Sequence, residues 1–178
     1  MTQKSQTYCG VASIVMVLNA MPVNAPPALG YKPFATFTQD NLLNERTEAI
    51  LPLQTLPTQG MTLKQLGAIL TTYGTTSSVH HADDYGLDDF RRTASRQLSR
   101  PEGHVILNYL RRAIGQTSGG HISPLAAYDA RTDRFLILDV SRYKCPPVLV
   151  ATNELYAAMN TIDADNAGRR RGYVPIER

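Results

Sequence analysis

QKSQTYCGVASIVMVLN, residues 3–19, decides the fold, because it sets one cysteine at the junction between a polar lead-in and an apolar segment. The apolar run at 11–18 is closed by Asn19 and Pro22, and this length and ending predict a buried helix that begins at Cys9. The first turn of a helix offers unpaired N–H groups and a partial positive charge, which favour thiolate over thiol. Cys9 is therefore a candidate nucleophile, although most cysteines at such positions are small buried hydrophobic residues.

The composition is that of a globular protein. At 178 residues, with 43% hydrophobic and 19% charged, the chain fits a single domain over 1–178. No apolar run approaches the roughly 20 residues that cross a bilayer, and no secretory signal is visible, so we expect a cytoplasmic protein without membrane contact and leave open an upstream targeting segment. The net charge of +3 argues against nucleic-acid binding, and we interpret the basic cluster at 169–171 as local anion recognition or a solvated turn.

The pattern of segments predicts an α+β fold, with helices first and an antiparallel sheet later. Five proline and glycine residues make 22–38 a long irregular connection. The remaining segments are predicted from periodicity and capping residues. The helices are predicted at 38–43, 47–51, 62–73, 87–98 and 152–159, and the strands at 78–81, 104–110, 121–130, 134–143 and 172–176.

His121 and Asp139 are the candidate partners of the cysteine, because a thiol nucleophile requires a base and a group that orients the base. His121 opens one predicted strand after two glycines, and Asp139 ends the apolar run of the next strand. If these strands form a hairpin with its turn near Arg131, residues whose numbers sum to about 260 lie opposite each other, which makes the pair neighbours. Taken singly, a surface histidine and a turn-capping aspartate are the ordinary interpretations.

Other chemistry receives little support from the sequence. His80 and His81 are adjacent and would face opposite sides of a strand, and the chain has no C-x-x-C or H-E-x-x-H pattern, so we predict no protein metal site. Cys9 and Cys145 are the two cysteines. Cys145 precedes two prolines and nothing else suggests a disulfide scaffold, so we predict two free thiols.

Three spaced blocks carry a recognisable pattern: YCGVASIVMVLNA at 8–20, GQTSGGHISPLAAYD at 115–129 and LILDVSRYKCPP at 136–147. A fourth block, RRRGY at 169–173, fits less closely. In their order, and in the separation of His121 from Asp139, they resemble the catalytic domain of the phytochelatin synthases, the short prokaryotic members most of all. The resemblance implies a papain-like cysteine-peptidase fold, with an N-terminal helical lobe holding the buried nucleophile helix and a C-terminal antiparallel β-sheet lobe.

The resemblance also implies an acyl transfer from glutathione. Cys9 would attack the carbonyl that joins cysteine to glycine, glycine would leave, and the γ-glutamylcysteinyl thioester would pass to a second glutathione or to water. His121 would move the proton and Asp139 would hold its ring. Gln3 would donate to the oxyanion together with the N–H of Cys9, and Gln6 is the alternative donor.

By the same correspondence, Asn108 and Gly120 would line the acyl pocket and Arg171 would bind the γ-glutamyl carboxylate. Arg142 is a second candidate for this role, or a structural residue. The resemblance implies no tightly bound cofactor. Cadmium or zinc ions would act as thiolates of glutathione, the substrate partner, and a homodimer is compatible with this reading.

The chain departs from the larger eukaryotic members in lacking their cysteine-rich C-terminal region. We therefore expect hydrolysis of glutathione to rival or exceed peptide synthesis. Two other functions are open at this point: a papain-like cysteine peptidase of different specificity, and a catalytically degenerate binding protein.

Overall fold

A computed structural model describes residues 1–117, 119–166 and 168–178 and shows a mixed fold of helices and antiparallel sheet, as the segment pattern predicts. Ser118, inside the second recognised block, lies outside the described residues. The helices are α1 (Cys9–Ala20), α2 (Glu45–Glu48), α3 (Leu56–Gln59), α4 (Leu63–Thr72), α5 (Leu87–Leu98) and α6 (Thr152–Met159). The strands are β1 (Thr76–Ser77), β2 (His80–His81), β3 (His104–Leu110), β4 (Gly120–Asp129), β5 (Arg134–Ile137), β6 (Val148–Ala151) and β7 (Gly172–Glu177).

All strand pairs are antiparallel, and the order across the sheet is β1-β7-β3-β4-β5-β6, with β2 also pairing with β7. β7 is last in the sequence yet lies inside the sheet, against β3. Short 3-10 turns follow β3 at Arg111–Ile114 and precede β7 at Ala164–Asn166. None of the helices in the described part of the chain is long and apolar enough to cross a membrane.

Helices pack on both faces of the sheet, because side chains alternate along each strand. Val105, Leu107 and Tyr109 of β3 join the core formed with α5 and α6, whereas Ile106 joins the core formed with α1 and α4. Asn108 follows this alternation and belongs to the α1 face. Asn108 and its partner Ile122 of β4 are therefore placed next to the helix that carries the cysteine.

Helix α1 begins at Cys9 as predicted and is buried on nearly all sides. Its packing against β4 is close: the Ser13 hydroxyl donates to the Ile122 carbonyl at 3.1 Å, and a Cβ on Gly10 would lie 3.4 Å from Cδ1 of the same isoleucine. Tyr8, the N-cap residue, makes no side-chain capping bond in the described structure, which leaves the N–H groups of the first turn open.

The short helices are where the sequence-based assignment is wrong. Residues 38–43 form turns, because the Asn41 side chain accepts from the Thr38 N–H at 2.7 Å and donates to the Thr36 carbonyl at 3.0 Å. Such side-chain bonds compete with helix formation. The helix predicted at 47–51 is α2, which begins earlier because Asn44 caps it. Helix α3 is not predicted, and the strand at 78–81 is replaced by β1 and β2.

The strand predicted at 134–143 is also wrong in extent. It ends at Ile137 rather than at 143, and β6 follows without having been predicted. The register is shifted by a bulge between Leu125 and Ala127, so that Asp129 pairs with Arg134 at the turn. Asp139 therefore lies beyond the ladder and not opposite His121 within it. Helices α4, α5 and α6 and strands β3, β4 and β7 match the prediction to within a residue or two.

Candidate active site

Cys9 lies at the start of α1, against β4, and borders a cavity of about 180 Å³. His121 borders the same cavity, from the second position of β4. Asn108 of β3 and Gly120 of β4 also line it, as the resemblance implies. The cavity therefore brings together one thiol, one imidazole and two of the predicted substrate-binding residues.

The His121 imidazole is held by Asp139, with 3.0 Å between Nε2 and Oδ1. Both side chains are almost completely buried. Asp139 reaches this position from the loop after β5, which is fixed to β4 because the Leu138 N–H donates to the Pro124 carbonyl at 2.9 Å. The pair thus forms as expected, although by a loop and not by ladder pairing. With Nε2 committed to the carboxylate, Nδ1 is the nitrogen left to act on a thiol.

Arg111 is a site residue that the sequence reasoning missed. It follows β3 directly, is buried, and contacts Asp139 in a bidentate ion pair with distances of 2.7 and 2.8 Å. The Ser141 N–H donates to the same carboxylate at 2.7 Å. Burial alone would raise the pKa of Asp139, but the bonds from His121 and Arg111 outweigh it and hold the pKa at about 2. Asp139 is therefore ionised at neutral pH, and Nε2 of His121 carries the hydrogen that it donates.

The electrostatics favour an uncharged cysteine–histidine pair in the resting site. Burial raises the pKa of the Cys9 thiol, and backbone hydrogen bonds at Ile122 and Gly10 and the charge of Arg111 offset only part of that rise. Burial also lowers the pKa of His121, against the effect of the Asp139 hydrogen bond. The expectation that the helix start would favour a thiolate is wrong here, because desolvation outweighs it. Neutral imidazole is a competent general base for a thiol.

Gln3, the predicted oxyanion donor, is buried and well anchored. Its N–H donates to the Val140 carbonyl at 2.8 Å and its Nε2 donates to the Tyr143 hydroxyl at 3.0 Å, both in the loop after Asp139. Its Oε1 has no partner among the described residues. Gln6, the alternative donor, is exposed and lines the cavity itself. Both candidates therefore stay open.

Arg171 lies beside the cavity, over Gly120. Its Nη1 donates to the Thr161 hydroxyl and its Nη2 to Asp163, at 3.0 and 3.3 Å, while Nε is buried without a partner in the part of the chain that the structure describes. A Cβ added to Gly120 would lie 2.9 Å from Nη2 and 3.1 Å from Nε. Glycine is therefore needed at this position for the guanidinium to cover it.

Asp163 is the second residue that sequence reasoning missed. It lines the cavity and accepts from Asn108 Nδ2 at 2.9 Å as well as from Arg171. It therefore orients two predicted substrate-binding side chains at once. Arg142, the other candidate for carboxylate binding, is exposed and does not line the cavity.

Cys9 and Cys145 are both free thiols. Within residues 1–117, 119–166 and 168–178, no group of three or more His, Cys, Asp or Glu side chains is arranged to hold a metal ion. Cys145 Sγ lies 3.1 Å from Arg111 Nη1, behind the Asp139 carboxylate.

The sequence model of the phytochelatin synthase family matches residues 1–173. This chain belongs to the phytochelatin synthase family. It is similar to glutathione gamma-glutamylcysteinyltransferase 3 of Lotus japonicus, with 34% identity over 99% of this chain and 36% of that protein. Glutathione gamma-glutamylcysteinyltransferase 2 of Arabidopsis thaliana is 33% identical over 99% of this chain and 38% of its own length.

A third member of the family, the glutathione gamma-glutamylcysteinyltransferase of Schizosaccharomyces pombe, is 27% identical over 99% of this chain and 41% of its own. The chain thus spans between about a third and two fifths of the length of these curated relatives. The match reaches across every segment that forms the cavity, from the lead-in to α1 through to the residues before β7.

Proposed function

We propose that this chain is a cysteine-nucleophile acyltransferase that takes the γ-glutamylcysteinyl unit from glutathione and releases glycine. The observation that carries the proposal is the His121–Asp139 pair on the cavity of Cys9, with Nε2 bound to an ionised carboxylate and Nδ1 left basic. The relatives named as glutathione gamma-glutamylcysteinyltransferases support the choice of substrate.

The proposed reaction begins from the uncharged pair. His121 Nδ1 takes the proton of the Cys9 thiol as Sγ attacks the carbonyl between cysteine and glycine of glutathione. The oxyanion accepts hydrogen bonds from the N–H of Cys9, at the uncapped start of α1, and from the Gln3 side chain, or from Gln6 if Gln3 does not reach it. His121 returns the proton to the glycine nitrogen, the C–N bond breaks, and a thioester remains.

The second half of the reaction repeats these steps in reverse. The α-amine of a second glutathione, or water, attacks the thioester carbonyl while His121 accepts its proton. The C–S bond breaks and the Cys9 thiol is restored. Water is a small, abundant acceptor at an exposed cavity, and we propose that hydrolysis to γ-Glu-Cys rivals or exceeds peptide synthesis.

Substrate recognition is proposed to centre on Arg171. Two nitrogens of this guanidinium are held by the protein, and the third has no partner among the described residues, which suits it to a carboxylate, here the α-carboxylate of the γ-glutamyl group. Asp163 holds Arg171 and Asn108 in place, and the absence of a side chain at Gly120 leaves room for the guanidinium beside the cavity. A cysteine peptidase of other specificity would have no use for this arrangement, since its substrates lack that carboxylate.

We propose that the fold is papain-like and forms one catalytic domain. Support comes from the placement of the nucleophile on a buried helix of the first half and of its base on the antiparallel sheet of the second half, with the orienting carboxylate in the loop after β5. Helices α5 and α6 cover the opposite face of that sheet.

For partners, we propose that cadmium or zinc acts as a glutathione thiolate and not through a protein site, and that the protein binds no cofactor tightly. We further propose a cytoplasmic protein that is able to form a homodimer and binds neither nucleic acid nor membranes. Sedimentation and titration with cadmium in the absence of glutathione would measure the assembly and any direct metal binding.

The reaction is tested by incubating the protein with glutathione, with and without cadmium. Free glycine, longer γ-Glu-Cys peptides and the intact protein mass are measured at early times. Glycine release and a mass increase of one γ-Glu-Cys unit are expected, and both should disappear in Cys9→Ala. Cys145→Ser is the matched control, because it changes the other thiol and keeps an acceptor for Arg111. If glycine is released under neither condition, the proposal is wrong.

A further inference from the structure

A basic groove adjoins the catalytic cavity at Gly120. It encloses about 860 Å³, and Gly120 lines both spaces. Three arginines line the groove, and its described lining contains no carboxylate; they are Arg112, Arg170 and Arg171. The catalytic cavity has the opposite character, since Asp163 and Asp165 line it. The lining therefore changes from acidic in the cavity to basic in the groove, and Gly120 marks the boundary.

Arg171 joins the two spaces. Its Nη1 and Nη2 are committed to Thr161 and Asp163, and its buried Nε, unpaired within the described chain, lies over Gly120. A buried donor without a partner costs about 1–3 kcal/mol, which a ligand oxygen would offset. A ligand lying across Gly120 thus meets this guanidinium first and can continue into the groove.

The groove beyond Arg171 is suited to further negative charge. Arg112 is exposed at the groove wall, and Arg170 is half-buried, with Nη1 donating to the Asn160 carbonyl. Arginine forks bind carboxylates in preference to neutral groups. A single γ-glutamyl carboxylate would occupy Arg171 and leave the other two guanidiniums without an anion.

A peptide made of repeated γ-Glu-Cys units supplies that additional charge. Each added unit is joined to the α-nitrogen of the γ-glutamyl group at Arg171, removes the positive charge of that nitrogen and brings one more carboxylate. Asp163 does not depend on that ammonium, because it is already bonded to Asn108 and Arg171. Such peptides are the products of the proposed transfer.

We propose that the groove binds the preceding γ-Glu-Cys unit of an oligomeric γ-glutamylcysteine peptide, so that the protein uses such oligomers as acyl donors. The inference rests on the proposed function. Cys9 Sγ attacks the carbonyl that joins the last cysteine to glycine, the C–N bond breaks, and glycine leaves with the proton returned by His121. The thioester then carries two γ-Glu-Cys units until water releases them and restores the thiol.

The experiment compares glycine release from glutathione and from γ-Glu-Cys-γ-Glu-Cys-Gly. Both peptides should release glycine, and the second should add two γ-Glu-Cys units to the protein mass. In Arg112→Gln, kcat/KM for the oligomer should fall about tenfold, as expected for one lost charged hydrogen bond, while the value for glutathione stays within about twofold. Arg131→Gln is the matched control, because the Arg131 side chain is 91% exposed in the β4–β5 turn.

The outcomes separate this inference from the proposed function. Glycine from glutathione but none from the oligomer would overturn the inference alone, whereas glycine from neither peptide would sink the proposed reaction as well. A fall of equal size for both peptides in Arg112→Gln would also overturn it, since the groove would then make no distinction between them. Arg112→Glu, with reversed charge, should reduce the oligomer reaction further than Arg112→Gln does.

Discussion

Replacing Asp139 by asparagine should destabilise the protein by about 3–5 kcal/mol, the usual cost of leaving one partner of a buried ion pair uncompensated. The uncompensated charge would be that of Arg111, which is 3% exposed and makes two contacts with the carboxylate, at 2.7 and 2.8 Å. Asparagine can still accept a bond from His121. The loss of stability therefore measures the effect of leaving the Arg111 guanidinium without its carboxylate, and not a change in the orientation of the imidazole.

The pKa of Asp139 gives this prediction a pH dependence. A pKa of about 2 lies below the ordinary value of 3.8, and the difference corresponds to about 2 kcal/mol of stabilisation by the ionised form. That contribution is complete above about pH 4 and is lost as the pH falls toward 2. The gap in stability between wild type and Asp139→Asn should therefore narrow over this range.

Urea denaturation at several pH values measures the loss of stability and its dependence on pH. In a thermal melt at neutral pH, the melting temperature of Asp139→Asn should lie roughly 6 to 20 °C below that of the wild type. Asp88→Asn is the control, because the Asp88 side chain is 87% exposed and its pair with Arg91 should contribute less than about 1 kcal/mol. A loss below about 1 kcal/mol in Asp139→Asn, or a gap that does not change with pH, would refute the assignment of Asp139 as the ionised partner of Arg111.

Three further predictions concern activity. Gly120→Ala should raise KM for glutathione at least tenfold with little change in stability, because its Cβ would lie about 3 Å from the Arg171 guanidinium, and steady-state kinetics measure this. Gln3→Ala should lower kcat by about 100-fold and Gln6→Ala by less than threefold, and the reverse order would transfer the oxyanion role to Gln6. Since burial lowers the pKa of His121 below 6.5, kcat/KM should stay level above that pH and fall only at lower pH; a midpoint above 6.5 would contradict the neutral pair.

The candidate site can be predicted from the sequence where the signal is local. The apolar run after Cys9 predicts α1, and this helix begins at Cys9 and is buried over nearly its whole length. The pairing of His121 with Asp139 was also predicted, but its stated geometry was wrong. Asp139 lies in a loop because β4 has a bulge between Leu125 and Ala127 and β5 ends early. The residue types at the bulge do not predict it.

The residues that support the site were not predictable, because their partners are far away in the sequence. Arg111 contacts a carboxylate that lies 28 positions later, and Asp163 contacts Asn108, which lies 55 positions earlier. From the sequence, Arg111 is part of a basic doublet after a predicted strand, and Asp163 is an aspartate in a polar turn. The signal available for Arg111 is an arginine directly after an apolar strand. The turns around Asn41 escaped prediction for a related reason, since side-chain bonds to the backbone replaced a helix that Thr38 could have capped.

The position of β7 inside the sheet has a consequence for synthesis on the ribosome. The chain emerges from its N-terminus, so α1 and the whole of β3 are released before residues 172–177 exist. Until then the edge of β3 that β7 will cover is unpaired, and such an edge invites pairing with other chains. Arg171 directly precedes β7, so the event that closes the sheet also delivers the guanidinium to Gly120. A nascent chain that already contains Cys9, His121 and Asp139 therefore still lacks the Arg171 guanidinium at Gly120 until this strand has been made.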